Sequence, residues 1–251
     1  MSRFGRAVCC VRRGAPRLSI SSFRLSGVSY TYKGGRRALW EVSLSWPRTG
    51  VVALLGPNGS GKSTLLSLVV GTRRPSSGTL SSTPMSVGFL PQAATWPGRF
   101  TARELLAYAA WWNRVPKSEV EGRISSAAAA LDVEDVLDQR IGQLSGGYVR
   151  RLMVAQAVVH APEVVVLDEP SAGLDPRQRV RLREAIAELG SERLVIVATH
   201  LVEDIDQIAD HVTILDEGEV VVDSGMDRIR ATHGNAPGSP LERLYLGVVT
   251  R

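Results

Sequence analysis

The chain has 251 residues, 44% of them hydrophobic and 22% charged, enough to bury a core in one large domain or two small ones. Its net charge of +5 sits at one end: Arg3, Arg6, Arg12, Arg13 and Arg17 belong to the 30 basic residues, and the rest of the chain carries 25 bases against 25 acids. A neutral body argues against an extended face for nucleic acid. Cys9 and Cys10 are neighbours with nothing else to pair with, so the composition excludes a disulfide framework and fits a reducing compartment. No apolar run approaches the roughly 20 residues of a membrane helix. The stretch Ala7 to Val11 is too short for the apolar part of a secretory signal, about 7–15 residues.

In chain order, residues 1–17 are expected to form a disordered basic tail. Leu18 to Tyr32 alternates as a strand does, Gly34-Gly35 marks a turn, and Trp40 to Trp46 alternates again. Val51 to Leu55 is continuously apolar, as in a strand covered on both faces. A glycine-rich turn follows, and Leu65 to Val70 reads as helix. Residues 101–140 change character: Leu105, Leu106, Tyr108, Ala109 and Trp112 recur at helical spacing, and Ile124 to Leu131 is rich in alanine. Strand and helix resume at Val164–Leu167, Gln178–Leu189, Leu194–Thr199, Val202–Ile208 and Val212–Leu215. Residues 231–240, with Gly234, Pro237, Gly238 and Pro240, read as loop, and Leu241 to Val249 as a short amphipathic end. The expected organisation is an α/β domain over residues 18–230, a helical subdomain inserted at about 93–145, and a terminal segment over 231–251.

Gly56-Pro57-Asn58-Gly59-Ser60-Gly61-Lys62-Ser63-Thr64 has the spacing of a phosphate-binding loop, after a buried strand and before a helix. Glycines let backbone N–H groups turn inward as an anion nest, and the following helix offers its positive end to the same charge. Lys62 is placed for the β- and γ-phosphates, and the Ser63 hydroxyl is a hard ligand for Mg²⁺. The apolar run Val164 to Leu167 ends in Asp168-Glu169-Pro170. An Asp at a strand's carboxyl end beside such a loop can hold Mg²⁺ through water, and Glu169 is placed to polarise a water in line with the γ-phosphate.

Leu144-Ser145-Gly146-Gly147 lies between these two motifs. With it, the order of phosphate loop, Gln92, Asp168-Glu169, Asp175 and His200 resembles the ATP-binding-cassette ATPases over roughly residues 20 to 225. The resemblance implies a P-loop NTPase core with a predominantly parallel sheet, an antiparallel N-terminal β subdomain and an inserted α-helical subdomain. It implies ATP and Mg²⁺ as cofactors, with Tyr32 stacking on adenine and Tyr30 as its competitor. Gln92 would contact Mg²⁺ and the attacking water, Asp175 would cross a dimer interface, and His200 would hold the γ-phosphate and orient Glu169. Singly, each has a plain reading: the tyrosines pack on a strand, Gln92 is a solvated amide, Asp175 before Pro176 is a turn, and His200 starts a helix. Ser145 is a plausible N-cap. In the resembling family the segment Leu144 to Gly147 contacts the γ-phosphate on an opposite subunit, which implies two cassettes face to face, two-fold symmetric if identical. Tyr148 departs from the family, which usually has Gln there.

The resemblance further implies a separate transmembrane permease and a peripheral location on the cytoplasmic face of the cell membrane. The segments Phe100 to Leu105 and Leu241 to Leu246 look like those of prokaryotic export-type cassettes. Trp111 is a candidate for a groove that takes a partner helix, whereas Tyr108 and Trp112 are expected in the insert's own core. The competing class is a soluble cassette ATPase acting on nucleic acid or ribosomes. One cassette without heptads or metal-spaced cysteines disfavours it.

Overall fold

The computed structural model describes residues 22–80, 86–94, 96–233 and 238–249. The basic tail, Cys9, Cys10, Gly234 and Pro237 lie outside them. The strands are β1 (Ser22–Thr31), β2 (Arg37–Pro47), β3 (Gly50–Leu55), β4 (Ser77–Leu80), β5 (Val87–Leu90), β6 (Val164–Asp168), β7 (Leu194–Ala198), β8 (His211–Asp216) and β9 (Glu219–Gly225). The helices are α1 (Lys62–Val69), α2 (Ala102–Trp112), α3 (Val120–Ala130), α4 (Gly146–Val158), α5 (Pro176–Glu192), α6 (Met226–His233) and α7 (Pro240–Val249). Among the described residues they build two sheets. A small antiparallel one runs β2-β1-β4, and a larger one runs β5-β6-β7-β3-β8-β9. The pairs β5-β6, β6-β7, β7-β3 and β3-β8 are parallel, and β9 returns antiparallel along β8.

The continuous apolar runs follow from the layers. Every residue of β3, β6 and β7 is buried. Because side chains alternate, Val51, Ala53 and Leu55 join a core with α2 to α5, while Val52 and Leu54 join one with α1 and the small sheet. Trp46 is fully buried in the second core, stacked on Phe23 at 5.8 Å, its indole N–H donating to Thr213 Oγ1 at 2.8 Å.

The helical unit is entered through a capping box. Thr101 Oγ1 accepts from Glu104 N, and Thr101 N donates to Glu104 Oε2. Its two ends are tied where Ile141 N donates to Phe100 O and Ala102 N to Gln139 O. The face of α2 turned inward is Ala102, Leu105, Leu106, Ala109 and Ala110. Tyr108, Trp111 and Trp112 lie opposite, 39%, 66% and 38% exposed, with ring centroids 5.8–6.4 Å apart. The expectation that Tyr108 and Trp112 fill the insert's core is therefore corrected: alanines at 109 and 110 let α2 pack closely, which leaves the bulky rings outside.

Other elements differ from the sequence-based expectation. The helix expected over Val202–Ile208 is a single 3₁₀ turn, Val202–Asp204, followed by turns. The stretch read as loop from 231 begins inside α6, which runs through His233.

Candidate functional site

Parallel register brings the motifs to one sheet edge. Gly50 to Leu54 pair with Leu194 to Ala198, and Val164 to Asp168 with the same strand. The ends of β3, β6 and β7 therefore deliver the 56–64 loop, Asp168-Glu169 and Thr199-His200 side by side, at the carboxyl edge where such sheets bind ligands. Leu90 pairs with Leu167, so exposed Gln92 follows at that edge.

The loop is held by close approach. At Gly56 φ is 149°, and a Cβ there would stand 2.2 Å from Leu215 O and 2.6 Å from Ser60 Oγ. Lys62 is buried, its Nζ donating to Gly56 O at 2.6 Å and Pro57 O at 3.0 Å. Burial pushes its pKa down, while the charges of Glu169 and Asp168 act the other way. The Ser60 hydroxyl is buried without a hydrogen-bond partner, a state that marks a group made for a ligand or solvent. Tyr32 is half-buried beside the loop. Its hydroxyl lies 2.9 Å from Thr64 Oγ1, and the Arg73 guanidinium stands 4.9 Å from its ring centroid. Tyr30 packs edge-on to Tyr32, and its hydroxyl accepts from Arg73.

Across the loop, Asp168 is buried and hydrogen-bonded to Ser63. Burial raises its pKa, the Ser63 bond lowers it, the Glu169 charge raises it, and Lys62 and Arg150 lower it. Glu169 is 6% exposed, and its two carboxylate oxygens have separate partners. Oε1 lies 2.7 Å from His200 Nδ1, and Oε2 accepts from Thr199 Oγ1 at 3.3 Å. Its backbone is left-handed, with φ 51°, a conformation that costs a non-glycine residue about 1–2 kcal/mol.

The remaining candidates are placed apart from that cluster. Ser145 caps α4, accepting from Tyr148 N at 3.5 Å, and Ser145 and Gly146 are exposed at the helix start. Leu144, half-buried, packs against the helical core. Gly147 is buried against Gln178, whose side chain a Cβ would meet at 2.3 Å. Gln178 belongs to the capping box of α5: Asp175 Oδ1 accepts from Gln178 N at 2.9 Å, and Asp175 N donates to Gln178 Oε1. The carboxylate of Asp175 is thus a helix cap on an exposed turn. Tyr148 donates its hydroxyl to Asp135 Oδ2 at 2.7 Å, and Arg151 stands 4.7 Å from its ring centroid.

Three contributors escape sequence reading. Thr199 precedes His200 and holds the second oxygen of Glu169. Gln178 was visible only as part of a helix. Arg150, buried on α4, donates to Asp168, Glu169 and Pro170 carbonyls. The Arg150-Arg151 pair was visible, but both are buried and nothing local says that Arg150 takes the Asp168–Pro170 main chain while Arg151 takes Asp132.

A buried lysine in a glycine-rich loop, beside a serine-bonded Asp and a Glu held by His, defines the class of P-loop nucleoside triphosphatases. Within that class the match is specific: residues 39–172 fit the family model described as ABC transporter. The chain belongs to that family, whose ATP-binding domains hydrolyse ATP. It is 34% identical over 189 residues, 73% of its length, to the ABC transporter ATP-binding protein YxlF of Bacillus subtilis (strain 168), and spans 64% of that protein. It is 30% identical over 242 residues to the Nod factor export ATP-binding protein I of Rhizobium johnstonii, covering 92% of this chain and 76% of the relative. In solved structures it resembles an ATP-binding subunit of an ABC transporter, with TM-score 0.77, 25% identity, and 92% and 100% of the two chains covered. It also resembles cbiO1 of Clostridium perfringens, part of the ABC transporter complex cbiONQ, with TM-score 0.73, 26% identity, and 86% and 95% covered.

Proposed function

We propose that this chain binds ATP with Mg²⁺, hydrolyses the γ-phosphate, and so drives a separate membrane permease, in the direction of export. The observation that carries the reading is the Glu169 carboxylate: buried, bonded to His200 and Thr199, and close enough to Lys62 for its charge to act on the ammonium.

The residues fit both groups. Lys62 and the backbone of residues 56–61 take the phosphates, and the orphaned Ser60 hydroxyl gains a partner there. Tyr32 offers its ring to the adenine. Ser63 and Asp168, already hydrogen-bonded to one another, supply hard oxygen ligands for Mg²⁺, and Gln92 stands at the same sheet edge. Mg²⁺, when bound, neutralises charge that develops on the phosphate oxygens. Glu169 accepts a hydrogen bond from the attacking water through a carboxylate oriented from both sides, and His200 holds that carboxylate and faces the γ-phosphate.

The exposed start of α4, with Ser145 as N-cap and Gly146 beside it, offers N–H groups to an anion from outside the chain. A second cassette, identical or related, would present its nucleotide to this end, with Asp175 on the same surface. ATP then closes the pair, and loss of the γ-phosphate reopens it. One relative, named an export ATP-binding protein, supports the direction; the solved ATP-binding subunit of an ABC transporter supports the coupling to transport alone. Among the described residues no helix is long and apolar enough to cross a membrane. On this reading the permease is a separate chain and the cassette is peripheral on its cytoplasmic face.

The test uses Glu169→Gln with ATP and Mg²⁺. It is expected to bind ATP, to lose turnover, to elute as a dimer, and to retain a multi-span membrane protein from detergent-solubilised native membranes. Wild-type turnover would remove Glu169 from its role. Retention of ribosomes or nucleic acid in place of a membrane protein would remove the transport reading.

A further inference from the structure

We propose that Arg150 is a positioning residue for Glu169, linking the start of α4 to the catalytic carboxylate of the same chain. The inference rests on the reading of Glu169 given above.

Arg150 is 9% exposed, and its guanidinium meets three consecutive backbone carbonyls. Nε donates to Pro170 O at 2.7 Å, while Nη2 donates to Asp168 O at 3.3 Å and to Glu169 O. A rigid planar fork with several donors suits this task, and a single ammonium could not reproduce it. These carbonyls flank the one residue of the site whose backbone is left-handed without being glycine. Such a conformation persists only when its surroundings over-determine it. The Glu169 peptide is held on its other side by the bond from Glu169 N to Ala198 O at 2.8 Å. One clamp therefore comes from β7, inside the sheet. The other comes from α4, whose N-terminus is Ser145.

The consequence is directional. All three bonds go to carbonyls and none to a carboxylate, so the donors hold the main chain that aims Glu169, while the guanidinium charge also acts on Asp168. A small tilt of α4 relative to β6 lengthens those bonds and frees the Glu169 backbone. The carboxylate then leaves His200 and Thr199. What binds at the exposed start of α4 is thereby felt by Glu169 in the same chain through one helix and one guanidinium.

The experiment compares Arg150→Met and Arg150→Lys in the wild-type and Glu169→Gln backgrounds, measuring kcat, KM for ATP, and thermal midpoint. Arg150→Met is expected to lower kcat about a hundredfold, the scale of a misplaced catalytic group, with KM within about twofold of wild type. Arg150→Lys should fall between. In the Glu169→Gln background, Arg150→Met should lower the residual rate no further, because the two changes remove one function. An equal loss in both backgrounds, or a loss expressed in KM, overturns the proposal. If Arg150→Met does not fold, an Arg150→Lys protein with wild-type melting and wild-type kcat overturns it equally. If Glu169→Gln alone turns over as wild type, the assignment of Glu169 fails first, and the inference with it.

Discussion

His160 offers a test of the packing behind α4 that needs no nucleotide. It follows the last turn of α4, and burial there lowers its pKa from 6.5 to about 4, with a hydrogen bond to the Val87 backbone acting in the opposite sense. The folded-state value lies below the unfolded one, so between those two pH values the unfolded chain holds more of the proton. Stability from this group is complete above about pH 6.5, falls as pH drops through that window, and levels off below about 4. A displacement of that size corresponds to about 3 kcal/mol. Asp168 acts with the opposite sign, since its raised pKa makes the folded state take up a proton first as pH falls. The informative quantity is therefore a difference between two proteins. Urea unfolding of wild type and His160→Gln, measured from pH 7 to pH 4, should show wild type losing about 3 kcal/mol more than the variant. Parallel curves would refute the buried, neutral histidine.

Gly56→Ala would drive a methyl group to 2.2 Å from Leu215 O, and should cost at least about 3 kcal/mol, with loss of ATP binding. A wild-type melting curve with intact binding would show that the loop does not need this close approach. Thr213→Val removes the acceptor of the buried Trp46 N–H and the donor to Asp223, bonds of 2.8 and 2.7 Å. It should lower stability by about 1–3 kcal/mol in urea, and an unchanged midpoint would mean that the indole finds another partner.

The sheet core was readable because burial on both faces writes itself as Val51–Leu55, Val164–Leu167 and Leu194–Thr199, runs without polar interruption. The phosphate loop and Asp168-Glu169 were readable because their chemistry is local in sequence. β4 was not: Ser77–Leu80 is a largely polar, exposed edge strand held by its pairing with β1. The same holds for β9, whose residues alternate between half-buried and exposed and extend by pairing with β8. The aromatic residues of α2 misled in the other direction. Helical spacing identifies a shared face but not which way it turns, and small residues at 109 and 110 decide that. Tyr148 stands where the resembling family usually has Gln, and its partner is not legible in the sequence. Its hydroxyl bond to Asp135 ties α4 to the helical unit, a contact that glutamine's shorter side chain would have to make differently.

The contact between Gly147 and Gln178 carries a rule for how this sequence can vary. The amide of Gln178 is engaged with Asp175 at the first turn of α5 and occupies the space a methyl group at 147 would need. A methyl group at 147 would have to displace the end of that flexible amide, and so would disturb the first turn of α5, whatever nucleotide does at the start of α4. A larger residue there is admissible when the Gln178 amide swings away, giving up its bond from Asp175 N while α5 keeps the Asp175 carboxylate as its cap. Two positions remote along the chain therefore constrain each other, and through them the surfaces on which Ser145 and Asp175 stand.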